Sequence, residues 1–151
     1  MNFTMNSHCG GAEKIPAALR EEIKGAVARC GIRPALRTAT KIRTALLSDL
    51  LKNGWCSEVA VAAGSGITIS SSKNNVGLCL QTGNMSRMYA DLIKLQKLFL
   101  DDAIKAGIIV MPTATAARAL GSNIANASRL SKELEIFRKV IHMPIILFAF
   151  E

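Results

Sequence analysis

Apolar residues recur along this chain in two rhythms, one of three to four residues and one of two. The longer rhythm opens at Ile15-Pro16, where Leu19, Ile23, Val27 and Cys30 fall on one face of a helix that Pro16 starts and Gly31 ends. Ala35 to Lys52 predicts a second helix, partly apolar through Leu36, Thr40, Leu47, Leu50 and Leu51. Its polar side carries Arg37, Lys41, Arg43 and Lys52. That row suits phosphate contact or an ordinary solvated face. Asn53-Gly54 breaks the helix, and Trp55 to Ala63 fits a short strand before a loop at Gly64-Ser-Gly66.

The shorter rhythm follows. Ile67 and Ile69 point one way, Thr68 and Ser70 the other. After a turn at Lys73-Asn74-Asn75, Val76, Leu78 and Leu80 share one face, and Gly77, Cys79 and Gln81 share the other. The expected element is a hairpin with an apolar core face and a small, polar face suited to a cleft. Ser86 to Ala106 is the strongest helical pattern, with Met88, Leu92, Leu95 and Phe99 on one stripe and Ile93, Leu98 and Leu100 widening it. Such a breadth suits burial under a sheet, or a sheet on one side and a partner subunit on the other. Gly107 to Pro112 reads as a buried strand, Thr113 to Leu120 as a brief helix and Gly121 to Asn126 as a loop. Ala127 to Phe137 reads as a helix, and Ile145 to Phe150 as a last strand introduced by Pro144. Helices alternating with strands predict an α/β fold, a central mixed sheet flanked by helices. Residues 1–14 are polar and glycine-containing and read as a flexible tail, leaving 15–151 as one domain.

Composition narrows the classes. Half of the 151 residues are hydrophobic, so the chain can bury a core without staples. No apolar run is long enough to cross a bilayer, and the start of the sequence lacks the apolar stretch of a signal peptide. A cytoplasmic location, with no membrane partner, is the expectation. Cys9, Cys30, Cys56 and Cys79 include no C-x-x-C pair, and only His8 and His142 could join them, so zinc is not expected. The thiols are expected to be reduced and mostly buried. A net charge of +8 makes a polyanion a plausible partner.

The chemistry is concentrated in Ser70 and in Cys79-Leu80-Gln81. Cys79 and Gln81, two apart, lie side by side on the strand, with Ser70 across the turn. Together with Asn84, the long helix, the strand Ala106 to Val110 and the Ser122-Asn123 loop, these residues resemble the BglII-like restriction endonucleases, which have the PD-(D/E)XK nuclease core. The resemblance runs from about Ile67 to Phe137. It implies a restriction-endonuclease-like core and a homodimer that binds and cleaves duplex DNA. Ser70 stands where the family has its metal-binding Asp, Cys79 where it has its catalytic Glu, and Gln81 keeps the family's Gln. Asn84 and Asn123 stand where the family uses Asn to reach base edges.

The two departures bear on mechanism. A serine hydroxyl is a weak neutral ligand for magnesium, and a thiolate is too soft for it. From Leu50 to Ala90 the only carboxylate is Glu58. The expectation is therefore a pseudo-nuclease with no metal cofactor that still binds duplex DNA as a homodimer. The alternatives are a magnesium-dependent endonuclease using a displaced acid such as Glu58, or a dimerisation module without DNA. Local readings compete with the functional ones: Cys79 as a core hydrophobe, Asn84 as a helix cap, and Asn123 as a loop-shaping residue. Arg87, in the first helical turn, opposes the helix dipole, and that mild cost makes it a better candidate for an anion contact.

Overall fold

The computed structural model describes residues 1–151. Strands β1 (Phe3–His8), β4 (Ser71–Lys73), β5 (Val76–Leu80), β6 (Ala106–Pro112) and β7 (Ile145–Phe150) form one mixed sheet in the order β1-β7-β6-β5-β4. The three central strands are parallel, and both edge strands run antiparallel to their neighbours. Parallel neighbours need crossovers. Helix α4 (Met85–Leu100) links β5 to β6, and α5 (Ala114–Leu120) with α6 (Ala127–Ile136) links β6 to β7. The remaining elements are the short α1 (Gly11–Lys14), α2 (Ala17–Arg29), α3 (Ala39–Lys52) and a separate two-stranded sheet of β2 (Val59–Ala60) with β3 (Thr68–Ile69).

Two apolar layers sandwich the sheet. Val76, Leu78 and Leu80 of β5 pack with Leu19, Ile23 and Val27 of α2 and with Ile42, Leu46 and Leu50 of α3. Cys79 packs on the opposite side with Met88, Leu92 and Leu95 of α4 and Leu130 and Leu134 of α6. The expected α/β sandwich with a central mixed sheet is thus the observed fold. No helix is long and apolar enough to cross a membrane.

Several expectations need correction. Residues 1–14 are not a loose tail. Phe3 to His8 pair with Phe150 to Ile145 along the edge of the sheet. Gly11 then packs so tightly on β7 that an added Cβ would lie 2.1 Å from the Ile145 carbonyl oxygen. Four of the six β1 residues are exposed, so the strand carries no apolar alternation to reveal it. The hairpin before β5 is also divided. Thr68–Ile69 pairs with β2, Ser71–Lys73 pairs with β5, and Ser70 sits where the chain passes from one sheet to the other. Ile69 is buried while Ile67 is 51% exposed, so the two do not share an environment.

The supposed cleft face of β5 is mostly core. Every residue of β5 is buried, because helices cover both faces of an interior strand. Gly77 lies directly under Leu95 and Ile104, and a Cβ there would approach both to about 3 Å. Only after Leu80, where β5 ends, does the chain emerge into a cleft. Helix α4 is also shorter than expected: it stops at Leu100, and Ala106 already belongs to β6.

Candidate functional site

The cleft opens at the carboxyl end of β5, between α3 and α4, and has a volume of about 460 Å³. Such ends of parallel strands are common binding positions in α/β folds, because the strands stop together while their connecting loops diverge. Arg43 comes from α3. Ser70 comes from the chain between the sheets, Gln81 and Gly83 from the loop after β5, and Arg87, Asp91 and Lys94 from successive turns of α4.

Arg43 is the pivot of one wall. Its guanidinium donates from Nη1 to the Leu80 carbonyl and from Nη2 to Ser70 Oγ at 3.3 Å. Ser70 Oγ also accepts the Leu80 backbone N–H at 3.0 Å. A hydroxyl oxygen has two lone pairs, and both are thus engaged. The Arg43 row proposed from sequence divides accordingly: Arg43 turns into the cleft, whereas Arg37, Lys41 and Lys52 are exposed and do not line it.

The opposite wall is a polar chain. Gln81 Nε2 donates to Asp91 Oδ2 at 2.7 Å, and Gln81 Oε1 accepts the Gly83 N–H at 2.7 Å. Lys94 Nζ donates to Asp91 Oδ1 at 3.2 Å. Burial raises the pKa of Asp91 above its ordinary 3.8, and Lys94, Gln81 and Arg43 counter this only in part. Asp91 is the carboxylate that sequence reasoning missed. It lies one position beyond the acid-poor stretch ending at Ala90, and only its helical phase, three residues before Lys94 and four after Arg87, marks it as facing the cleft.

The structure therefore brings Ser70 and Gln81 together in one cleft and places Cys79 just beneath it. Cys79 is 1% exposed and packed among apolar side chains. Burial first, and then the negative charge of Asp91, raise its thiol pKa well above the normal value. It is a protonated core thiol, with neither thiolate character nor a histidine for nucleophilic work. His142 does not line the cleft and faces Gln96 and Phe99 instead. The cysteines are all free but less buried than expected: Cys56 is exposed, and Cys9 and Cys30 are half-buried.

The loops that carry Asn84 and Asn123 meet next to Gly83, which lines the cleft, although neither Asn lines it. An isolated bridge pairs Asn84 with Ile124, Met85 N–H donates to the Asn123 carbonyl at 3.1 Å, and Ala125 N–H donates to the Gly83 carbonyl at 2.9 Å. Asn84 Oδ1 accepts the Arg87 N–H at 3.2 Å, so the residue caps α4. Asn123 is exposed with φ +56°, a left-handed conformation that Asn tolerates. Both Asn residues thus have local duties, yet they edge the same loop pair beside the cleft. Arg87 is exposed and folds back over Gly83. Glu58 is exposed and does not line the cleft, so it is not placed as a displaced acid.

The family model for restriction endonuclease BglII/BglIII matches residues 3–150. The chain belongs to that family. Among solved structures it is similar to restriction endonuclease BglII complexed with a DNA 16-mer, with a TM-score of 0.85 and 14% identity, over 99% of this chain and 76% of that one. It is also similar to free BglII, with a TM-score of 0.78 and 12% identity, over 100% of this chain and 80% of that one. No curated protein matches it.

A nuclease of this family type implies a divalent metal, and the residues present do not fit one. No group of three or more His, Cys, Asp or Glu side chains is gathered to hold a metal ion. Asp91 is the single carboxylate in the cleft, and it is already shared between Gln81 and Lys94. Ser70 Oγ has no lone pair left, and its partner is itself a cation. A divalent ion about 4 Å from the Arg43 guanidinium would be opposed by roughly 8 kcal/mol at an effective dielectric near 20.

Proposed function

We propose that this chain is a DNA-binding member of its family that has lost metal-dependent cleavage and works on duplex DNA as a homodimer. The observation that carries the reading is the Arg43 guanidinium bonded to Ser70 Oγ and the Leu80 carbonyl, at the place where the family resemblance puts metal-binding acids. Ser70 and Cys79 bring no negative charge, and three cationic side chains against one carboxylate line the cleft. Magnesium is not a cofactor on this reading. Arg87 lines the cleft, and Asn84 and Asn123 lie on the loops next to it, which supports a contact with a duplex there. The relative that was solved with a DNA 16-mer supports DNA as the ligand class. Exposed apolar residues on α4 (Ile93, Leu100) and at and just beyond the end of α6 (Ile136, Phe137, Val140) offer material for a subunit contact.

The test combines duplex binding across a salt series with plasmid cleavage in magnesium and in manganese. Binding is expected to weaken with a log–log slope of about −0.9 per phosphate neutralised. No cleavage is expected in either metal. Flat salt dependence, or no binding at low salt, overturns the reading. Light scattering over a dilution series checks the dimer.

A second reading has one observation in its favour. Asp91, hydrogen-bonded to Gln81 inside the cleft, is a carboxylate displaced onto α4. An endonuclease built on it would cleave plasmid in magnesium and lose that activity in Asp91→Ala, while Glu58→Ala would leave it intact.

A further inference from the structure

We infer that the cleft holds a phosphate group of the nucleic-acid backbone directly on Arg43, with the guanidinium taking over the charge-neutralising role of a divalent cation. This rests on the DNA-binding reading above and gives its central site a defined chemistry. The support is geometric. A guanidinium has five N–H donors. Two of those of Arg43 are committed, to the Leu80 carbonyl and to Ser70 Oγ, which leaves three for a ligand. Both acceptors are neutral, so they orient the cation without cancelling its charge. That differs from Lys94, whose ammonium is matched by Asp91.

Arg43 is half-buried and its fork is fixed at two points, so little side-chain freedom remains to be lost on binding. Arg87, on the facing helix and also lining the cleft, has no acidic partner and closes the other side of the space. The planar fork of Arg43 matches two phosphate oxygens in a bidentate contact. The replacement of the two family acids and the presence of Arg43 then form one coherent change. An acidic residue at position 70 would pair with Arg43 and extinguish its charge, whereas serine leaves it open.

The experiment uses the full chain and a fluorescent duplex. Anisotropy is measured in EDTA, then with added magnesium or calcium at constant ionic strength, for wild type, Arg43→Met, Arg43→Lys and Lys41→Met. Wild type is expected to bind equally well in EDTA and in either cation. Arg43→Met is expected to lose about tenfold or more in affinity, Arg43→Lys less, and Lys41→Met, an exposed change on the same helix, about twofold. Calorimetric titration of wild type with manganese alone is expected to show no binding, and this arm needs no variant. Binding that requires a divalent cation, or equal losses for Arg43→Met and Lys41→Met, overturns the inference and leaves DNA binding standing. If no duplex is bound under any condition, the DNA-binding reading falls. Inorganic phosphate then decides the inference, read through the Arg43 Nε–H resonance. A saturable shift supports a phosphate site, and no shift overturns it.

Discussion

The two walls of the cleft carry similar residues and treat charge in opposite ways. On the α3 wall, Arg43 is held by a backbone carbonyl and a hydroxyl, so its positive charge is fixed but not cancelled. On the α4 wall, Lys94 and Asp91 neutralise each other, and Gln81 is tied into the same pair. A cation positioned by neutral dipoles still faces outward with its full charge, whereas one positioned by a carboxylate is largely spent. The positive field of the cleft therefore originates on the α3 side and at Arg87.

The comparison can be broken or sharpened by mutation. The largest effect is expected from Cys79→Glu, which forces a carboxylate into a site 1% exposed. A loss of about 3–5 kcal/mol in denaturant unfolding is the expected cost of an unpaired buried charge. In the double variant Ser70→Asp with Cys79→Glu, manganese is expected to raise the melting temperature if the geometry of a cation cradle has been inherited. No response to manganese would show that Arg43 dominates the site even against introduced acids.

Arg43→Met comes next. It leaves the Leu80 carbonyl and Ser70 Oγ each short of a charged donor, and about 2 kcal/mol of stability should be lost, measured by the urea midpoint. Asp91→Asn tests the other wall through pH. The folded-state pKa of Asp91 is raised by burial, so its contribution to stability is fully present below its ordinary 3.8 and declines as pH rises through the folded value. The stability of wild type relative to Asp91→Asn is therefore expected to fall as pH rises across that window. A difference that grows instead would mean that Lys94 overcomes desolvation.

Asn84→Ala removes the cap of α4 and should cost about 1 kcal/mol in thermal unfolding. The smallest effect is expected from Asn123→Gly. Its φ of +56° suits glycine, so stability should change by only a few tenths of a kcal/mol. Loss of sequence preference in duplex binding with stability intact would assign Asn123 to base contact.

The fold was legible where a period was unambiguous. Leu19, Ile23 and Val27 on α2 and Met88, Leu92 and Leu95 on α4 all lie in the core as their spacing requires. The central strand was found, but its second face was misjudged, because Gly77 and Cys79 look like cleft residues until α4 is laid over them. The edge strand β1 was invisible because an edge strand lying largely in solvent has no need of alternation. In α3 the buried positions are Ile42, Leu46 and Leu50, a strict four-residue stripe that the looser set around Leu36, Leu47 and Leu51 obscured. At the site, Ser70 and Gln81 came from strand pattern and family likeness together. Asp91 and the inward turn of Arg43 depend on how two helices are rotated against the sheet, which single-sequence spacing leaves open.

The cysteine at the centre of β5 also makes the molecule its own clock. Cys56 is exposed, Cys9 and Cys30 are half-buried, and Cys79 is sealed beneath α4. Under a thiol-specific label, modification should therefore proceed in order of depth, with Cys79 reacting only when α4 lifts from the sheet or the whole chain opens. The ratio of its labelling rate to that of an unfolded peptide gives the free energy of that opening without any engineered cysteine. Repeating the measurement with and without duplex reads how firmly an occupant of the cleft clamps the helix above it.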